Sequence, residues 1–140
     1  MTTARDLLNK SCLTLMGLFI NFEKWFELMI SDLSEFFKAL GDNTRLRIIN
    51  LLIHFPALNV NDLCTNLIQP QSKISRHLNV LRNGKWVIFT RRDKWVYYKL
   101  NPEINQLLIN VLKEIFQGHL QFESDLKNAR ERYGSEPQKK

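Results

Sequence analysis

The stretch IQPQSKISRHLNVLRNGKW, residues 68–86, decides how this chain folds. Ile74, Leu78 and Leu81 recur at the spacing of one helical face, which predicts a helix over about 71–82 that buries a single stripe. A turn at Ile68 to Pro70 precedes it, and Asn83-Gly84 ends it. Subtracting the stripe leaves Gln71, Ser72, Lys73, Ser75, Arg76, His77, Asn79 and Arg82 for solvent or a partner. Nearly all are hydrogen-bond donors of the kind needed at nucleic acid: Arg pairs with guanine, Gln or Asn with adenine, and Ser or Lys with phosphate. A polar outward face is also what any solvated helix shows, so the neighbouring segments must decide.

Immediately before it, LNVNDLCTNL (58–67) sets Val60, Leu63, Cys64 and Leu67 at i, i+3, i+4 and i+7. Two short helices, about 59–67 and 71–82, joined by a tight turn have the size of a helix-turn-helix whose second helix reads DNA. Immediately after it, WVIFT and KWVYYKL are β-rich runs joined by Arg91-Arg92-Asp93, a β-hairpin with a cationic tip. A basic loop of Arg91, Arg92 and Lys94 in that place is what a wing needs to lie along a phosphate backbone. The expected fold is therefore mainly α with a small β-hairpin, a winged helix-turn-helix, and the expected partner is double-stranded DNA.

The rest of the chain agrees with one domain. Its 140 residues are 44% hydrophobic, enough for a core, and 20 Lys and Arg against 14 Asp and Glu give a charge of +6 that favours a polyanion. Cys12 and Cys64 form neither a disulfide framework nor a zinc spacing, which fits a reducing cytoplasm. The apolar run Cys12 to Ile20 has no cleavage site and is cut short by Glu23 and Lys24, so neither a signal peptide nor a membrane span is expected. Residues 1–30 form a helical extension, rich in aromatics from Phe19 to Phe26, with Met29 as an alternative start. Residues 31–120 form the DNA-binding domain. Within it, Ser31 or Asp32 caps one helix that Gly41 ends, and Asp42 to Thr44 begins another, with Leu46, Ile49, Leu52 and Ile53 inward and Pro56 at its end. Beyond Pro102, Ile104, Leu108, Val111 and Ile115 give a last helix, and residues 121–140 form a polar, partly disordered tail.

With these elements in order, LGDNTRLRIINLL, LNVNDLCTNL, QSKISRHLNVLR and DKWVYYKL resemble the ArsR/SmtB winged-helix repressors over roughly residues 33–102, in the form of the arsenic-responsive branch. The resemblance implies a homodimer joined by N- and C-terminal helices, a palindromic operator, and release of DNA when a metal ion or metalloid binds. In arsenic-responsive members the matching helix resembles Leu-Cys-Val-Cys-Asp-Leu-Cys, with the first two thiols as principal ligands. Here the frame is Leu58-Asn59-Val60-Asn61-Asp62-Leu63-Cys64. Soft thiophilic centres need thiolates, and an amide oxygen is a neutral, hard donor. No metal site and no cofactor are therefore expected, and Asn59 and Asn61 suit a helix start instead. Cys12 and Cys64 are the candidate thiol sensor. Glu114, His119 and Glu123 make too thin a set for the family's other metal site. The expected function is transcriptional repression as a homodimer, with inducer sensing lost, relocated or thiol-redox based. A winged-helix protein-interaction module that does not bind DNA is the alternative. No nucleophile–base pair or phosphate loop suggests an enzyme.

Overall fold

A computed structural model describes residues 30–134 of the chain. The expectations for the leader, for Cys12 and for Met29 as a start lie outside the described residues. The chain divides into two compact units, Met1–Glu35 and Phe36–Lys140. In the first, residues 30–35 are helical and their side chains exposed. Helix α1 covers 30–38, so Ser31 and Asp32 lie inside it and do not cap it.

In the second unit α2, Asn43–His54, is the centre of the core. Asp42 caps it by accepting the Arg45 N–H at 3.2 Å. It packs on α3, α4, α5, α6 and β3, and for that reason its burial exceeds the one-sided stripe read from sequence. Ile48, Ile49 and Leu51 are fully enclosed, as are the polar Asn50 and, nearly so, Arg47.

A short strand, β1 (Leu58–Asn59), leads into α3 (Val60–Leu67) and then α4 (Gln71–Asn83). The hairpin follows as β2 (Val87–Arg92) and β3 (Trp95–Leu100). β1 pairs antiparallel with β3, Leu58 opposite Tyr98, so the expected two-stranded hairpin is a three-stranded sheet of order β1-β3-β2. Two residues carry too short a pattern to be read as a strand; their pairing comes from β3 lying alongside.

The C-terminal region differs most from expectation. One long helix followed by a loose tail is instead α5 (Gln106–Phe116) and α6 (Leu120–Tyr133), separated at Gly118, whose φ of 82° suits glycine. Phe122, Leu126 and Ala129 of α6 are buried, and the Phe122 ring lies 4.7 Å from that of Phe116. The tail expected from 121 is therefore packed helix through Tyr133. In α5 the buried residues are Ile109, Leu112 and Phe116, while Val111 and Ile115, expected inward, face out with Leu107. The helix is apolar on two sides, and a single stripe misses one of them. Among the described residues no helix is long and apolar enough to cross a membrane.

Candidate nucleic-acid interface

The geometry of the reading helix is set at its two ends. Ile68 ends α3 in the left-handed conformation (φ 53°, ψ 52°), and the Gln69 N–H reaches the Cys64 carbonyl at 3.1 Å. Pro70 then starts α4, with its carbonyl accepting from Lys73 and Ile74; no side chain caps the first turn. At the other end Lys85 N–H donates to Arg82 O at 3.0 Å and Trp86 N–H to Leu81 O at 2.9 Å, the two bonds of a Schellman motif. The left-handed residue there is Lys85 (φ 62°), not Gly84. Trp86 locks the joint: fully buried, it stacks on Phe36 at 4.2 Å and donates from Nε1 to Phe36 O at 2.6 Å.

Ile74, Leu78 and Leu81 are buried as the spacing predicts. Gln71, Ser72, Arg76 and Asn79 are exposed, and Lys73 and Ser75 are half-exposed on the flanks. His77 belongs to a different group. Its side chain is only 12% exposed; Nδ1 lies 3.5 Å from Asp42 Oδ1 and 3.4 Å from Arg45 Nη1. The ring thus packs back on the start of α2 and leaves the outward face. Burial pushes its pKa below the ordinary histidine value, helped by the charges of Arg45, Lys73 and Arg76 and opposed by Asp42. A neutral ring accepts from Arg45 through Nδ1. Against the cost of burial, the Arg45 amide and the His77 and Arg45 charges hold Asp42 below the usual carboxylate range.

The hairpin places its cations differently from a single basic loop. Arg91 and Arg92 belong to β2, and the connection is Asp93-Lys94, with Asp93 at φ 54°. All three cations are exposed. Since strand neighbours point to opposite faces, Arg91 shares a side with Phe89 and Tyr98, and Arg92 lies on the outer side with Trp95 and Tyr97. The inner side faces α4, where the Arg82 guanidinium lies 5.5 Å from the Phe89 ring centre and ties reader to wing. Neither Arg82 as a brace nor Asp42 and Arg45 behind the reader stands out in the sequence, because each works through a residue distant along the chain.

The support helix α3 carries the positions where the resemblance implies a sensor. Asn59 Oδ1 accepts the Asp62 N–H at 2.9 Å and Asp62 Oδ2 accepts the Asn59 N–H at 3.0 Å, a complete capping box. Asp62 Oδ1 also accepts a hydrogen bond from the Tyr133 hydroxyl at 2.8 Å. Asn61 is exposed. Two amides, one serving as a cap, do not fit a thiophilic centre. Cys64 is half-buried against the core, and burial raises its thiol pKa, which disfavours the reactive thiolate. Glu123 accepts the Gly118 N–H at 3.0 Å and the His119 ring packs edge-on to Phe122. Among the described residues no three His, Cys, Asp or Glu side chains gather as a metal set.

The family described as bacterial regulatory protein, arsR family, matches residues 42–84, from the cap of α2 to the end of α4. The arsenical resistance operon repressor of Escherichia coli K12 is 42% identical over 83 residues, covering 59% of this chain and 71% of that protein. The transcriptional repressor PagR of Bacillus anthracis is similar in structure, with 31% identity, a TM-score of 0.54 and coverage of 64% of this chain and 98% of that one. The homodimeric winged helix-turn-helix domain of Mb0332 from Mycobacterium bovis shares the fold, with a TM-score of 0.59 at 23% identity over 67% of this chain and 86% of that one.

Proposed function

The chain belongs to the ArsR family of bacterial regulatory proteins, and on that premise we propose that it is a transcriptional repressor that binds a palindromic operator in double-stranded DNA as a homodimer in the cytoplasm. The observation that carries the reading is the exposed donor row Gln71, Ser72, Arg76 and Asn79 beside a cationic hairpin braced to the same helix. Gln71, Arg76 and Asn79 face base edges, while Ser72, Lys73, Ser75, Arg91, Arg92 and Lys94 hold phosphates. His77 acts behind the reader as a positioning residue.

Dimerisation is supported by the outer face of α5, where Leu107 is 70% and Ile115 is 55% exposed. Apolar rows of that kind are covered in working oligomers. A two-fold pair of readers demands a two-fold operator.

The inducer response is not metalloid capture by α3, because the amides of Asn59 and Asn61 supply no thiolate. Release of DNA then needs another effector, or the repressor is constitutive. A Cys12–Cys64 thiol switch remains the redox form of this reading.

Titration of the protein onto its own promoter, followed by fluorescence anisotropy at stepped salt, tests the function. Binding to a palindrome is expected, weakening steeply with salt at a log–log slope of about 0.9 per neutralised phosphate. Arg76→Ala should cost about 1–3 kcal/mol and relax preference at one base pair per half-site. No binding at low salt, with capture of a protein partner instead, would establish the interaction-module alternative. Repeating the titration with arsenite, cadmium, zinc and peroxide identifies or excludes an inducer; peroxide release that persists in Cys64→Ser removes the redox form.

A further inference from the structure

The outer face of the hairpin carries more than cations. Residues directly opposite in an antiparallel ladder share a side of the sheet, so the pairs Thr90↔Tyr97 and Arg92↔Trp95 set two rings and a guanidinium in one patch. Trp95 is the ring next to the Asp93-Lys94 connection and is 41% exposed, whereas Trp86 is fully enclosed. Large aromatic side chains dominate cores and interfaces, and an indole held at a loop tip has no core to serve. Each ring also carries a cation: Lys94 Nζ lies 5.7 Å from the Trp95 centre, and Arg92 Cζ lies 5.9 Å from that of Tyr97. From Val87 to Leu100 the hairpin has Arg91, Arg92, Lys94 and Lys99 against the single acid Asp93. A flat apolar surface flanked by positive charge complements a groove whose floor is sugar and base edge and whose rims are phosphate.

We propose that Trp95 is a DNA-contacting residue, its indole lying against deoxyribose and base edges in the groove the hairpin tip enters, between phosphates held by Arg92 and Lys94. The inference rests on the DNA-binding reading above and adds to it a non-ionic contact. A contact of that type contributes affinity without releasing counterions, so it leaves the salt dependence unchanged. It also reads groove width, since a ring of fixed size meets the sugars of a narrow groove and misses those of a wide one.

The test compares wild type, Trp95→Ala, Trp95→Phe and Arg92→Ala on the promoter palindrome by anisotropy across a salt series, with thermal melts to show that each variant is folded. Trp95→Ala should lose about tenfold in affinity, the scale of one good aromatic contact, at an unchanged salt slope. Trp95→Phe should recover most of the loss, and Arg92→Ala should lower the slope by about 1. Operator DNA should quench emission in wild type, with the quench missing in Trp95→Phe. Wild-type affinity in Trp95→Ala, a slope change like that of Arg92→Ala, or a Trp95 signal indifferent to DNA would each overturn the proposal while leaving the DNA-binding reading intact. A Trp95 signal that follows protein concentration without DNA would assign the ring to contact between copies and overturn it as well. Failure of wild type to bind DNA at all would remove both.

Discussion

Arg47 and Asp125 meet as a bidentate pair, Nε to Oδ2 at 2.7 Å and Nη2 to Oδ1 at 2.8 Å, across 78 positions of sequence. Both are buried, and Arg47 Nη2 also donates to Leu67 O at 3.2 Å. One guanidinium therefore joins α2, α6 and the end of the support helix. The hydrogen bond that Arg47 donates to Asp125 raises the Arg47 pKa despite burial. Removing one partner strands a charge in the core, so Asp125→Ala should destabilise the fold by about 3–5 kcal/mol. Urea unfolding measures this. Replacing both with apolar residues, as in Arg47→Met with Asp125→Leu, should cost much less than the single change; equal costs would show that the pair matters for shape rather than charge.

Ile68 makes a prediction of the opposite sign. It is β-branched, left-handed and 81% exposed. Such a residue gives up nothing by losing its side chain, and the left-handed conformation costs about 1–2 kcal/mol for residues other than glycine. Ile68→Gly should raise the unfolding free energy by about 0.5–1 kcal/mol once the greater freedom of unfolded glycine is subtracted, read as a higher urea midpoint at an unchanged m-value. A lower midpoint would mean that the isoleucine is held by contacts beyond its own turn.

Tyr133 gives a prediction at alkaline pH. Burial, then its hydrogen bond to Asp62 and the charge of that carboxylate, push its hydroxyl up from 10.0 to about 12. A group whose folded pKa is raised contributes stability that is full below the unfolded value and lost as pH rises through the folded one. Wild-type stability should therefore decline between 10 and about 12 more steeply than that of Tyr133→Phe. At neutral pH the phenylalanine variant should lose about 1 kcal/mol, the net value of one hydrogen bond. Parallel alkaline titrations of the two proteins by circular dichroism decide it.

At acidic pH the corresponding residue is His77. Its folded pKa is depressed below 6.5, chiefly by burial, so the folded state binds fewer protons and stability falls as pH drops below that value. His77→Gln should flatten part of that decline. His54 contributes a further part, since burial and the charges of Arg130 and Lys113 lower its pKa too. Because the protonated ring is repelled by Arg45 and drawn to Asp42, operator affinity should weaken over the same range in wild type more than in the glutamine variant.

The elements that were legible in the sequence are those whose cause is local. Ile74, Leu78 and Leu81 announce α4 because a helix repeats its buried face, and Asp42 and Asn59 mark helix starts because a short oxygen-bearing side chain reaches the free amides there. The candidate site was legible as far as exposure follows from that period, which covers Gln71, Ser72 and Arg76. His77 was not, because a flank position is outward or inward according to what lies beside it, and Asp42 and Arg45 come from another helix. The same reason hides β1, which exists only by pairing with Tyr97 and Tyr98, and α6, whose buried Asp125 looks like a surface acid until Arg47 is opposite. Arg91 and Arg92 read as a loop because charge outweighs their place in an alternating strand.

The capping box of α3 bears on any attempt to build a thiolate site into this helix. Asn59 is a strand residue opposite Tyr97, the cap of α3 and the partner of Asp62, whose other oxygen holds Tyr133. Placing cysteines at 59 and 61 would remove the oxygen that closes the helix and leave the Asp62 amide without its acceptor, while the Asp62 carboxylate keeps the backbone amide at 59 and the Tyr133 hydroxyl. A biosensor built by that exchange begins with a loosened hinge, and its designer must re-fasten the helix elsewhere before the new ligands have anything rigid to pull on.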